Sequence, residues 1–379
     1  MKKDIYYDAT FQILAPHRGM AKYLNGFLKA LSENGEKAQG LAPSGLKRKG
    51  DESVTCYGLN NILLWEQLSI SSFVKKNKVS YFIFPYNTGA VFSPLSCKSV
   101  LILHDLIFME SFSSVPTSKS FRQIVGRFYR RVIVPRIIKK ASFIITVSNY
   151  SKEQIIRQFN VAEKKICVIP NCIDTTHEAE AHKEKDSEGY FLNVGGDAPH
   201  KNTAFLIEAY ATLPEEIKKK FSLKVVGISN EANKKTLHHL IRSLHEEHRI
   251  IIEKYVNDEQ LEKLYRNAFI FIFPSLTEGF GIPLLEAMKC GCSIVCSNTS
   301  SMPEVCREAA FYFNPHDTQS FTNAVYLACT DKALRAAKKE EAIKQLDYYS
   351  RKNFNKKVAD WFTSNIRESI DSEPFVQKD

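Results

Sequence analysis

Short apolar runs rich in β-branched and aromatic residues alternate along the chain with longer stretches of helical periodicity. Such runs predict buried strands, because strands of parallel sheets are nearly continuous apolar segments. Strands are predicted at 5–7, 80–85, 99–104, 143–147, 190–195, 223–226, 250–253, 269–274 and 293–296. Helices are predicted at 21–33, 152–158, 203–213, 233–245 and 258–267. This alternation indicates α/β architecture with doubly wound parallel sheets, which bind ligands at the carboxyl ends of their strands.

The length of 379 residues exceeds what one ordinary core accommodates and predicts two domains. The segment 177–189 is polar, charged and without apolar periodicity, which indicates a linker. We therefore predict a Rossmann-like domain over 1–176 and a second over 190–350. A C-terminal helix and tail follow over 351–379.

A hydrophobic content of 44% and a charged content of 25% are ordinary for a globular protein. No apolar run reaches the roughly 18 residues that span a bilayer, and the first residues predict a strand rather than a secretory signal. The nine cysteines include no C-x-x-C pair. We expect buried thiols in a reducing cytoplasm, and a metal or redox role of Cys290 and Cys292 is the alternative.

The positive charge is unevenly distributed. Residues 1–180 contain 25 lysines and arginines against 14 acidic residues, whereas the remainder contains 27 against 28. Such a one-sided field favours an anionic partner, which could be a membrane surface, a phosphorylated ligand or a nucleic acid. No nucleic-acid recognition motif accompanies the charge, so we expect no nucleic-acid partner.

The segment Phe121–Lys140 concentrates seven of these cations among apolar residues: Arg122, Arg127, Arg130, Arg131, Arg136, Lys139 and Lys140. This is the pattern of a basic amphipathic helix that can lie on anionic lipid. An ordinary solvated helix face over the first core is the alternative.

The segment 273–291, FPSLTEGFGIPLLEAMKCG, is the most informative. It predicts a buried strand, a glycine loop carrying Glu278, and a helix beginning near Pro283 with Glu286 in its first turn. The glycines let backbone approach a ligand beside a helix N-terminus, where phosphate can bind. The two carboxylates could accept hydrogen bonds from sugar hydroxyls. Alternatively, Glu286 offsets the helix dipole and Glu278 is solvated.

This segment resembles the E-x7-E signature of the retaining GT-B glycosyltransferases, the family of glycosyl transferases group 1. Other segments resemble the family in the same order: RGMAKY at 18–23, HDL at 104–106, TVS at 146–148, VIPN at 168–171, VGGDAPHKN at 194–202, YVNDEQL at 255–261, PEV at 303–305 and FNP at 313–315. The resemblance implies the GT-B fold, in which two Rossmann-like domains face a central cleft and the C-terminal helix packs back toward the first. Within the family the chain resembles bacterial mannosyltransferase-like enzymes of surface polysaccharide assembly.

The resemblance also implies roles for particular residues. Glu278 would bind the donor sugar, Glu286 the ribose hydroxyls and Lys201 the diphosphate, whose developing negative charge a lysine stabilises. His104 would contact the donor sugar. A solvated lysine and a core or capping histidine are the alternatives for Lys201 and His104. Gly19 and Met20 would form a loop that faces the donor phosphates and the acceptor. Tyr255 and Val256 would lie near the base. The remaining donor-binding residues would be Gly195 and Gly196 in the glycine loop, and Gly279, Phe280, Gly281 and Ile282, whose backbone would help hold the phosphates.

The sequence departs from the family pattern in two places. Gly196 stands where many relatives have an arginine, and His200 stands where an arginine often precedes the lysine. Diphosphate binding would therefore rest more on Lys201 and backbone amides. Ala21 and Lys22 replace a common Gly-Arg pair, which leaves the acceptor-side contacts open.

The resemblance implies transfer with retention of anomeric configuration, in which a phosphate oxygen takes the acceptor proton. A double displacement through Glu278 is the alternative. Because the sequence contains no D-x-D motif, we expect no obligatory metal, and no cofactor besides the donor substrate.

The function implied is transfer of a hexose from a nucleotide-diphosphate sugar, with GDP-mannose as the first candidate. The acceptor would be a glycan or a lipid-pyrophosphate-linked glycan in polysaccharide or O-antigen biosynthesis. The reaction would take place in the cytoplasm, with the protein peripheral on the inner face of the membrane. A UDP-sugar donor and a GT-B epimerase or phosphorylase are the alternatives. A nicotinamide-dependent oxidoreductase is disfavoured because no strand is followed by G-x-G-x-x-G.

Overall fold

The computed structural model describes residues 4–46, 53–92, 96–111, 121–174, 189–254 and 256–367. Contacts divide the chain into two compact units. Unit 1 comprises Met1–Met109, Val125–Asn171 and Arg351–Asp379, and unit 2 comprises Glu110–Ile124 and Cys172–Ser350. The linker predicted at 177–189 lies outside the described residues except for Gly189, which begins a strand.

Unit 1 is built on a parallel sheet. Its strands are β1 (Ile5–Asp8), β2 (Ala38–Pro43), β3 (Val54–Tyr57), β4 (Tyr81–Phe84), β5 (Lys98–Leu103), β6 (Phe143–Thr146) and β7 (Ile166–Val168). In the described part of the chain they form seven strands in the order β3-β2-β1-β4-β5-β6-β7. The chain order reverses between β1 and β4, and ligands of open α/β sheets bind at such a switch point.

Helices cover this first sheet. They are α1 (Thr10–Leu14), α2 (Gly19–Glu33), α3 (Ile62–Leu64), α4 (Ile70–Lys76), α5 (Phe121–Lys140) and α6 (Asn149–Phe159). A π-helical turn, Trp65–Ser69, joins α3 to α4, and 3-10 turns occupy Ile107–Met109 and Glu163–Lys165. The core between sheet and helices includes Trp65, Phe82, Leu101, Val134 and Ile144. Across the described ranges, no helix has the length and apolar character needed to cross a membrane.

Unit 2 repeats this architecture. Its strands are β8 (Gly189–Val194), β9 (Phe221–Val226), β10 (Ile250–Glu253), β11 (Ile270–Phe273), β12 (Ser293–Ser297) and β13 (Ala310–Phe313). Among the described residues they form a six-stranded parallel sheet in the order β10-β9-β8-β11-β12-β13. Its switch point therefore lies between β8 and β11.

The helices of unit 2 are α7 (Thr203–Ala211), α8 (Glu215–Lys218), α9 (Glu231–Ser243), α10 (Asp258–Asn267), α11 (Ile282–Lys289), α12 (Met302–Cys306), α13 (Thr318–Thr330) and α14 (Lys332–Tyr348). Two 3-10 turns occupy Pro199–Lys201 and Arg307–Ala309. Phe191, Leu206, Leu223, Ile272 and Phe321 belong to the core that these helices close.

The α/β architecture with doubly wound parallel sheets is confirmed. Each strand and helix predicted from periodicity has a counterpart whose ends lie within three residues of the prediction. Four strands were not predicted: β2, β3, β7 and β13.

The C-terminal helix α15 (Arg351–Phe362) packs within unit 1, against α2. The ring of Phe354 lies 5.5 Å from that of Tyr23, and the ring of Trp361 lies 5.9 Å from that of Phe27. At the other end of α2, the Asn355 amide donates to the Glu33 carboxylate over 2.6 Å. The predicted return of this helix to the first domain is confirmed.

The described residues contain no disulfide. Burial raises the pKa of the Cys290 thiol to about 11 and that of the Cys292 thiol to about 12, so both are neutral at pH 7. Neutral buried thiols favour a packing role for this pair over the metal or redox alternative.

Trp361→Ala should destabilise unit 1 by about 3–5 kcal/mol, because it removes a large side chain that is 5% exposed and leaves a cavity beside Phe27. Lys356→Ala, on an exposed position of the same helix, should change stability by less than about 0.5 kcal/mol. Urea unfolding of both variants measures the difference. Equal stability of the two would contradict the packing of α15 on α2.

Candidate functional site

Three loops meet at the carboxyl edge of the unit 2 sheet. They follow β8, β11 and β12, which are neighbours in the sheet. The first carries Gly195 to Lys201, the second Glu278, and the third Thr299 to Ser301. The predicted site residues Gly195, Gly196, Lys201 and Glu278 therefore lie beside the switch point between β8 and β11, where the geometry of an open sheet favours a ligand.

An ion pair joins the first two loops. Lys201 Nζ lies 2.7 Å from Glu278 Oε1, and both side chains are largely buried, with 20% and 11% exposure. The ammonium also lies 5.1 Å from the centre of the Phe273 ring. Next to the pair, the Leu276 amide donates to the His200 carbonyl over 2.8 Å. Two predicted site residues, Lys201 and Glu278, thus lie together, and Lys201 is not a solvated surface lysine.

The charges around Glu278 keep it ionised. Burial alone raises the pKa of this carboxyl, but the charges of Lys201 and His200 and the hydrogen bond from Lys201 outweigh it, so the pKa lies below its ordinary value. Since an ammonium has three donors and a carboxylate about four acceptor positions, both ions retain capacity for a ligand.

The third loop fixes the backbone around Glu278. Ser301 Oγ donates to the carbonyls of Glu278 and Phe280 over 3.1 and 2.9 Å, and it is fully buried. Ser300 Oγ accepts from the Glu278 amide over 3.0 Å. Thr299 Oγ1 donates to the Leu276 carbonyl over 3.0 Å. Backbone groups that would otherwise be buried without partners are thereby satisfied.

Glu286 lies on the helix that follows this loop. Tyr265 in α10 is buried, and its hydroxyl donates to Glu286 Oε2 over 3.1 Å. Burial, then the charge of Glu286, raises the pKa of Tyr265, so the phenol remains a donor. The prediction that Glu286 lies in the first helical turn is wrong. α11 begins at Ile282, one residue before Pro283, which places Glu286 in the second turn, where a tyrosine rather than the helix dipole orients it.

The glycines of both loops hold backbone that other residues rarely adopt. Gly281 caps α11 with a φ of 101°, and a Cβ there would lie 2.9 Å from a methyl of Leu284. Gly196 has a φ of 154°, and its Cβ would lie 3.6 Å from Lys201 Cγ. Gly195, Gly279, Phe280 and Ile282 belong to the same two loops and helix start. Gly196 and Gly281 therefore adopt backbone conformations that favour glycine.

The residues predicted near the base are only partly described. Tyr255 lies outside the described residues. Val256 is half-buried and precedes the capping box of α10, in which Asn257 and Gln260 exchange hydrogen bonds. Its proximity to a base stays a prediction.

Gly19 and Met20 belong to unit 1. They form the first turn of α2 and not a loop, because Arg18 in extended conformation already serves as the N-cap. This corrects the predicted helix start at Ala21. The helix has no acidic residue in its first turn, so the N-terminal amides face no negative side chain of their own helix.

His104 follows β5 at the carboxyl edge of the unit 1 sheet. Its Nε2 lies 3.0 Å from the Pro85 carbonyl oxygen, its backbone amide donates to Asn87, and its ring packs edge-on against Tyr23. Burial, the largest influence, lowers the pKa of the imidazole, so it is neutral at pH 7. Bonding through Nε2 to Pro85 fixes the ring and leaves only Nδ1 for a sugar. The sugar contact of His104 therefore remains a prediction beside its structural role.

Several positioning residues were missed from the sequence, among them Thr299 and Tyr265, described above with Ser300 and Ser301. Another, Asp197, accepts from the amides of Ser229 and Asn230 over 3.1 and 3.0 Å and so ties the β8 loop to the β9 loop. The only signal in the sequence was the run of serines before Pro303, typical of a helix start.

Over the described ranges, no three His, Cys, Asp or Glu side chains group in a way that could hold a metal ion. The protein groups at the site include the Lys201 ammonium, the carboxylates of Glu278 and Glu286 and the amides of two loops.

Comparison with known families agrees with this geometry. Residues 174–345 match the family described as Glycosyl transferases group 1. Residues 17–177 match the family described as Glycosyltransferase Family 4. The chain belongs to the GT-B glycosyltransferases. Both Glu278 and Glu286 fall within the group 1 match, and His104 falls within the family 4 match.

Among its relatives is the O-antigen chain mannosyltransferase B of Escherichia coli, 31% identical over 225 residues, which are 57% of this glycosyltransferase chain and 59% of that protein. The serotype-specific mannosyltransferase WbdA of Escherichia coli is 27% identical over 291 residues, 73% of this chain and 34% of that protein. The chain thus spans less than two thirds of the length of these relatives.

A solved structure shows the shared fold. The Anabaena protein HepE in complex with UDP has a TM-score of 0.71 and 18% identity, covering 96% of this glycosyltransferase chain and all of that chain. At this identity the likeness establishes the two-domain GT-B fold alone.

Ser301→Ala should destabilise unit 2 by about 1–3 kcal/mol, because the carbonyls of Glu278 and Phe280 lose their buried donor. Ser229→Ala is the matched control, since Ser229 is exposed, and it should be neutral within about 0.5 kcal/mol. Urea unfolding monitors both. A neutral Ser301→Ala would show that the hydroxyl does not hold the loop.

Lys201→Met should invert the contribution of Glu278 to the pH dependence of the free energy of unfolding. In the native chain this carboxyl has a lowered pKa, so its stabilisation is present above the ordinary pKa of 4.5 and is lost as the pH falls through the lowered value. Without Lys201, burial should raise that pKa above 4.5, and stability should fall as the pH rises through the raised value.

The destabilisation by Lys201→Met should therefore be larger at about pH 8 than at about pH 4. Urea unfolding at both values tests this. The double variant Lys201→Met/Glu278→Gln is the control and should lose the dependence. A constant difference in Lys201→Met would mean that the pair is not coupled.

Proposed function

We propose that the chain is a retaining hexosyltransferase that uses a nucleotide-diphosphate sugar, with GDP-mannose as donor. One observation carries the proposal: Lys201 and Glu278 form a 2.7 Å pair at the switch point of the unit 2 sheet, with Glu286 on the helix that follows. One cation beside two carboxylates can bind a diphosphate and the hydroxyls on either side of it.

In the proposed reaction, the bond between the anomeric carbon and the β-phosphate oxygen breaks while a bond to the acceptor oxygen forms. The acceptor proton passes to a phosphate oxygen on the same face, so the anomeric configuration is retained. Lys201 stabilises the negative charge that develops on the leaving diphosphate. Glu278 holds the sugar hydroxyls and Glu286, oriented by Tyr265, holds the ribose.

A double displacement through Glu278 would instead form a glycosyl ester with its carboxylate. The ion pair with Lys201 helps to hold the pKa of the Glu278 carboxyl below its ordinary value, and a less basic carboxylate is a weaker nucleophile, which favours the front-face route. A covalent adduct on Glu278, detected by mass spectrometry with a slow fluorinated donor, would favour the double displacement.

We propose mannose as the sugar because the two relatives named above are called mannosyltransferases. The loop segment 199–202 also has the form P-x-K-N, which is frequent among mannosyltransferase-like members of the family that the sequence resembles. The same relatives support a role in O-antigen synthesis. HepE was solved with UDP, which keeps a UDP-sugar as the alternative donor. We propose that neither a divalent metal nor a cofactor is required, and equal initial rates with EDTA and with magnesium would support this.

We further propose that the acceptor is a glycan, free or linked to lipid pyrophosphate, and that the protein works in the cytoplasm beside the membrane. The excess of cations in residues 1–180 supports an anionic partner. The alternative reactions on this fold have distinct products. An epimerase would change the donor without an acceptor, and a phosphorylase would release sugar phosphate only with inorganic phosphate.

Thermal and urea unfolding with GDP, UDP, ADP or TDP should reveal one stabilising diphosphate, with and without magnesium. A ligand at about 100 times its dissociation constant that binds only the folded state adds roughly 2.7 kcal/mol. We expect this for GDP, because the donor proposed is GDP-mannose. Lys201→Ala and Glu286→Gln should abolish it, since they remove the phosphate and ribose contacts.

Lys219→Ala and Glu216→Gln are the matched controls, because both residues are exposed in the same unit. They should keep the full stabilisation. Stabilisation by UDP alone would replace the proposed donor, and no stabilisation by any diphosphate would overturn the proposal. Release of GDP from GDP-mannose with an α-linked mannose in the product, determined by NMR, tests retention.

A further inference from the structure

The switch point of the unit 1 sheet carries polar side chains that were not predicted as site residues. The strand order reverses there between β1 and β4. Asp8 is the last residue of β1, and Tyr86 follows the end of β4 by two residues. Both side chains are buried, with 6% exposure each. They therefore lie at the edge where open α/β sheets bind ligands.

Backbone amides of α1 hold the two groups. The Thr10 amide donates to Asp8 Oδ1 over 2.8 Å, and the Gln12 amide donates to the Tyr86 hydroxyl over 2.8 Å. Because these amides belong to one helical turn, the carboxylate and the phenol lie near each other. Burial, followed by the charge of Asp8, raises the pKa of Tyr86, so the phenol keeps its proton at pH 7.

Both groups retain hydrogen-bonding capacity. Over the described ranges, Thr10 is the one residue that donates to the Asp8 carboxylate, which has about four acceptor positions. The Tyr86 hydroxyl accepts from Gln12, and none of the described residues accepts its own proton. An acceptor with spare capacity beside an unused donor suits a ligand hydroxyl, because a hydroxyl both donates and accepts.

The charges at this place disfavour an anionic ligand. Burial raises the pKa of the Asp8 carboxyl to about 7, hydrogen bonds from Thr10 oppose this rise, and the charge of the buried Glu66 adds to it. A phosphate would add further negative charge, whereas a neutral hydroxyl would stabilise the charged carboxylate by donating to it. The chemistry of the switch point therefore favours a neutral ligand that bears hydroxyls.

The loop that carries Tyr86 is fixed on both sides. Thr88 Oγ1 donates to Glu66 Oε2 in the π-helical turn over 2.6 Å. Asn87 Oδ1 accepts from the His104 amide, on the loop after β5, over 2.6 Å. Tyr86 is therefore preorganised, and its neighbour Asn87 anchors His104, which the sequence predicts to contact a sugar.

Phe11 adds an aromatic surface beside these groups. It lies between Thr10 and Gln12, is 37% exposed and packs edge-on against the Tyr86 ring, with 5.1 Å between the ring centres. A sugar ring has hydroxyls around its rim and C–H groups on its faces. An exposed aromatic ring next to a donor and an acceptor matches this distribution.

We propose that the Asp8 carboxylate and the Tyr86 hydroxyl bind one hydroxyl of the acceptor sugar, with a C–H face of that sugar on the Phe11 ring. This inference rests on the proposed function, because it assigns residues to the acceptor of that reaction. The bound hydroxyl positions the acceptor and is not the one that reacts, since the reacting hydroxyl gives its proton to a phosphate oxygen. Asp8 and Tyr86 therefore determine acceptor specificity.

Saccharide titration followed by NMR tests the site on the full chain. The probes are the methyl α-glycosides of mannose, galactose, glucose and N-acetylglucosamine. Asp8→Asn should weaken binding of the glycoside that binds best by at least about tenfold, because an amide nitrogen donates where the carboxylate accepts. Asp4→Asn, the same change just before β1 at its opposite end, is the matched control and should bind like the native chain. Binding of none of these glycosides, or equal binding by Asp8→Asn, would overturn the proposal.

Monodeoxy derivatives of that glycoside identify the bound hydroxyl. With the native chain, one derivative should bind about tenfold more weakly than its parent, because the missing hydroxyl leaves two buried groups unpaired. With Asp8→Asn or Tyr86→Phe, this derivative and its parent should bind alike. Tyr326→Phe, at an exposed tyrosine of α13, should keep the native discrimination. Discrimination that persists in Asp8→Asn would overturn the assignment of that hydroxyl to Asp8.

Urea unfolding separates binding from a structural role. Asp8→Asn keeps an oxygen for the Thr10 amide and removes a buried charge, so its midpoint at pH 8 should be at or above the native one. The gain should be smaller at pH 5, where the native carboxyl is protonated because its pKa is about 7. A midpoint below the native one at both values would mean that Asp8 holds the fold, and it would overturn the binding role.

Diphosphate stabilisation separates this proposal from the proposed function. Asp8→Asn should keep the native response to GDP, because Asp8 belongs to unit 1 and the proposed diphosphate site to unit 2. In the transfer assay it should raise the KM for the acceptor and leave that for the donor unchanged. Asp8-dependent glycoside binding without any diphosphate response would sustain the sugar site and overturn the transferase. A native GDP response with Asp8-independent glycoside binding would overturn the sugar site alone.

Discussion

Lys201 and Glu278 face each other across the point where the strand order of the unit 2 sheet reverses, with 2.7 Å between Nζ and Oε1. Neither ion could remain so buried alone, and removal of one partner from a buried pair costs about 3–5 kcal/mol. The pair therefore fixes the two loops relative to each other. Ser301, in the loop that follows β12, holds the backbone of Glu278 and so connects a third strand to the site. The position of a single carboxylate thus depends on three neighbouring strands.

Net charge alone misjudges what the cations of unit 1 do. Arg127 and Arg131 both donate to the Phe108 carbonyl, and Lys140 donates to the Val91 carbonyl. These cations therefore bind backbone of their own domain, although a count of charges would attribute them to an anionic partner. In α5, Arg136 and Lys139 remain exposed near the C-terminal end, and the apolar Val125 and Phe128 are exposed earlier in the helix.

The sequence predicted the parallel α/β architecture because buried strands such as Ile270–Phe273 are uniformly apolar. The strand Ala38–Pro43 was not predicted, because its glycine and proline weaken the strand signal. The strand Ile166–Val168 was not predicted either, because three residues are too few to show a hydrophobic pattern. At the site, glycines and carboxylates were predictable from spacing. Ser300 and Ser301 were not, because their partners lie more than twenty residues away and only the fold brings them together.

The return of α15 to unit 1 has a consequence for synthesis. Unit 2 is nearly continuous in sequence, since Cys172–Ser350 supplies almost all of it, and its core can close once that stretch has left the ribosome. Unit 1 begins first but needs Phe354 and Trp361 to cover Tyr23 and Phe27. The domain that is translated first is therefore the one that completes its core last, and until then α2 presents aromatic rings to chaperones or to neighbouring nascent chains.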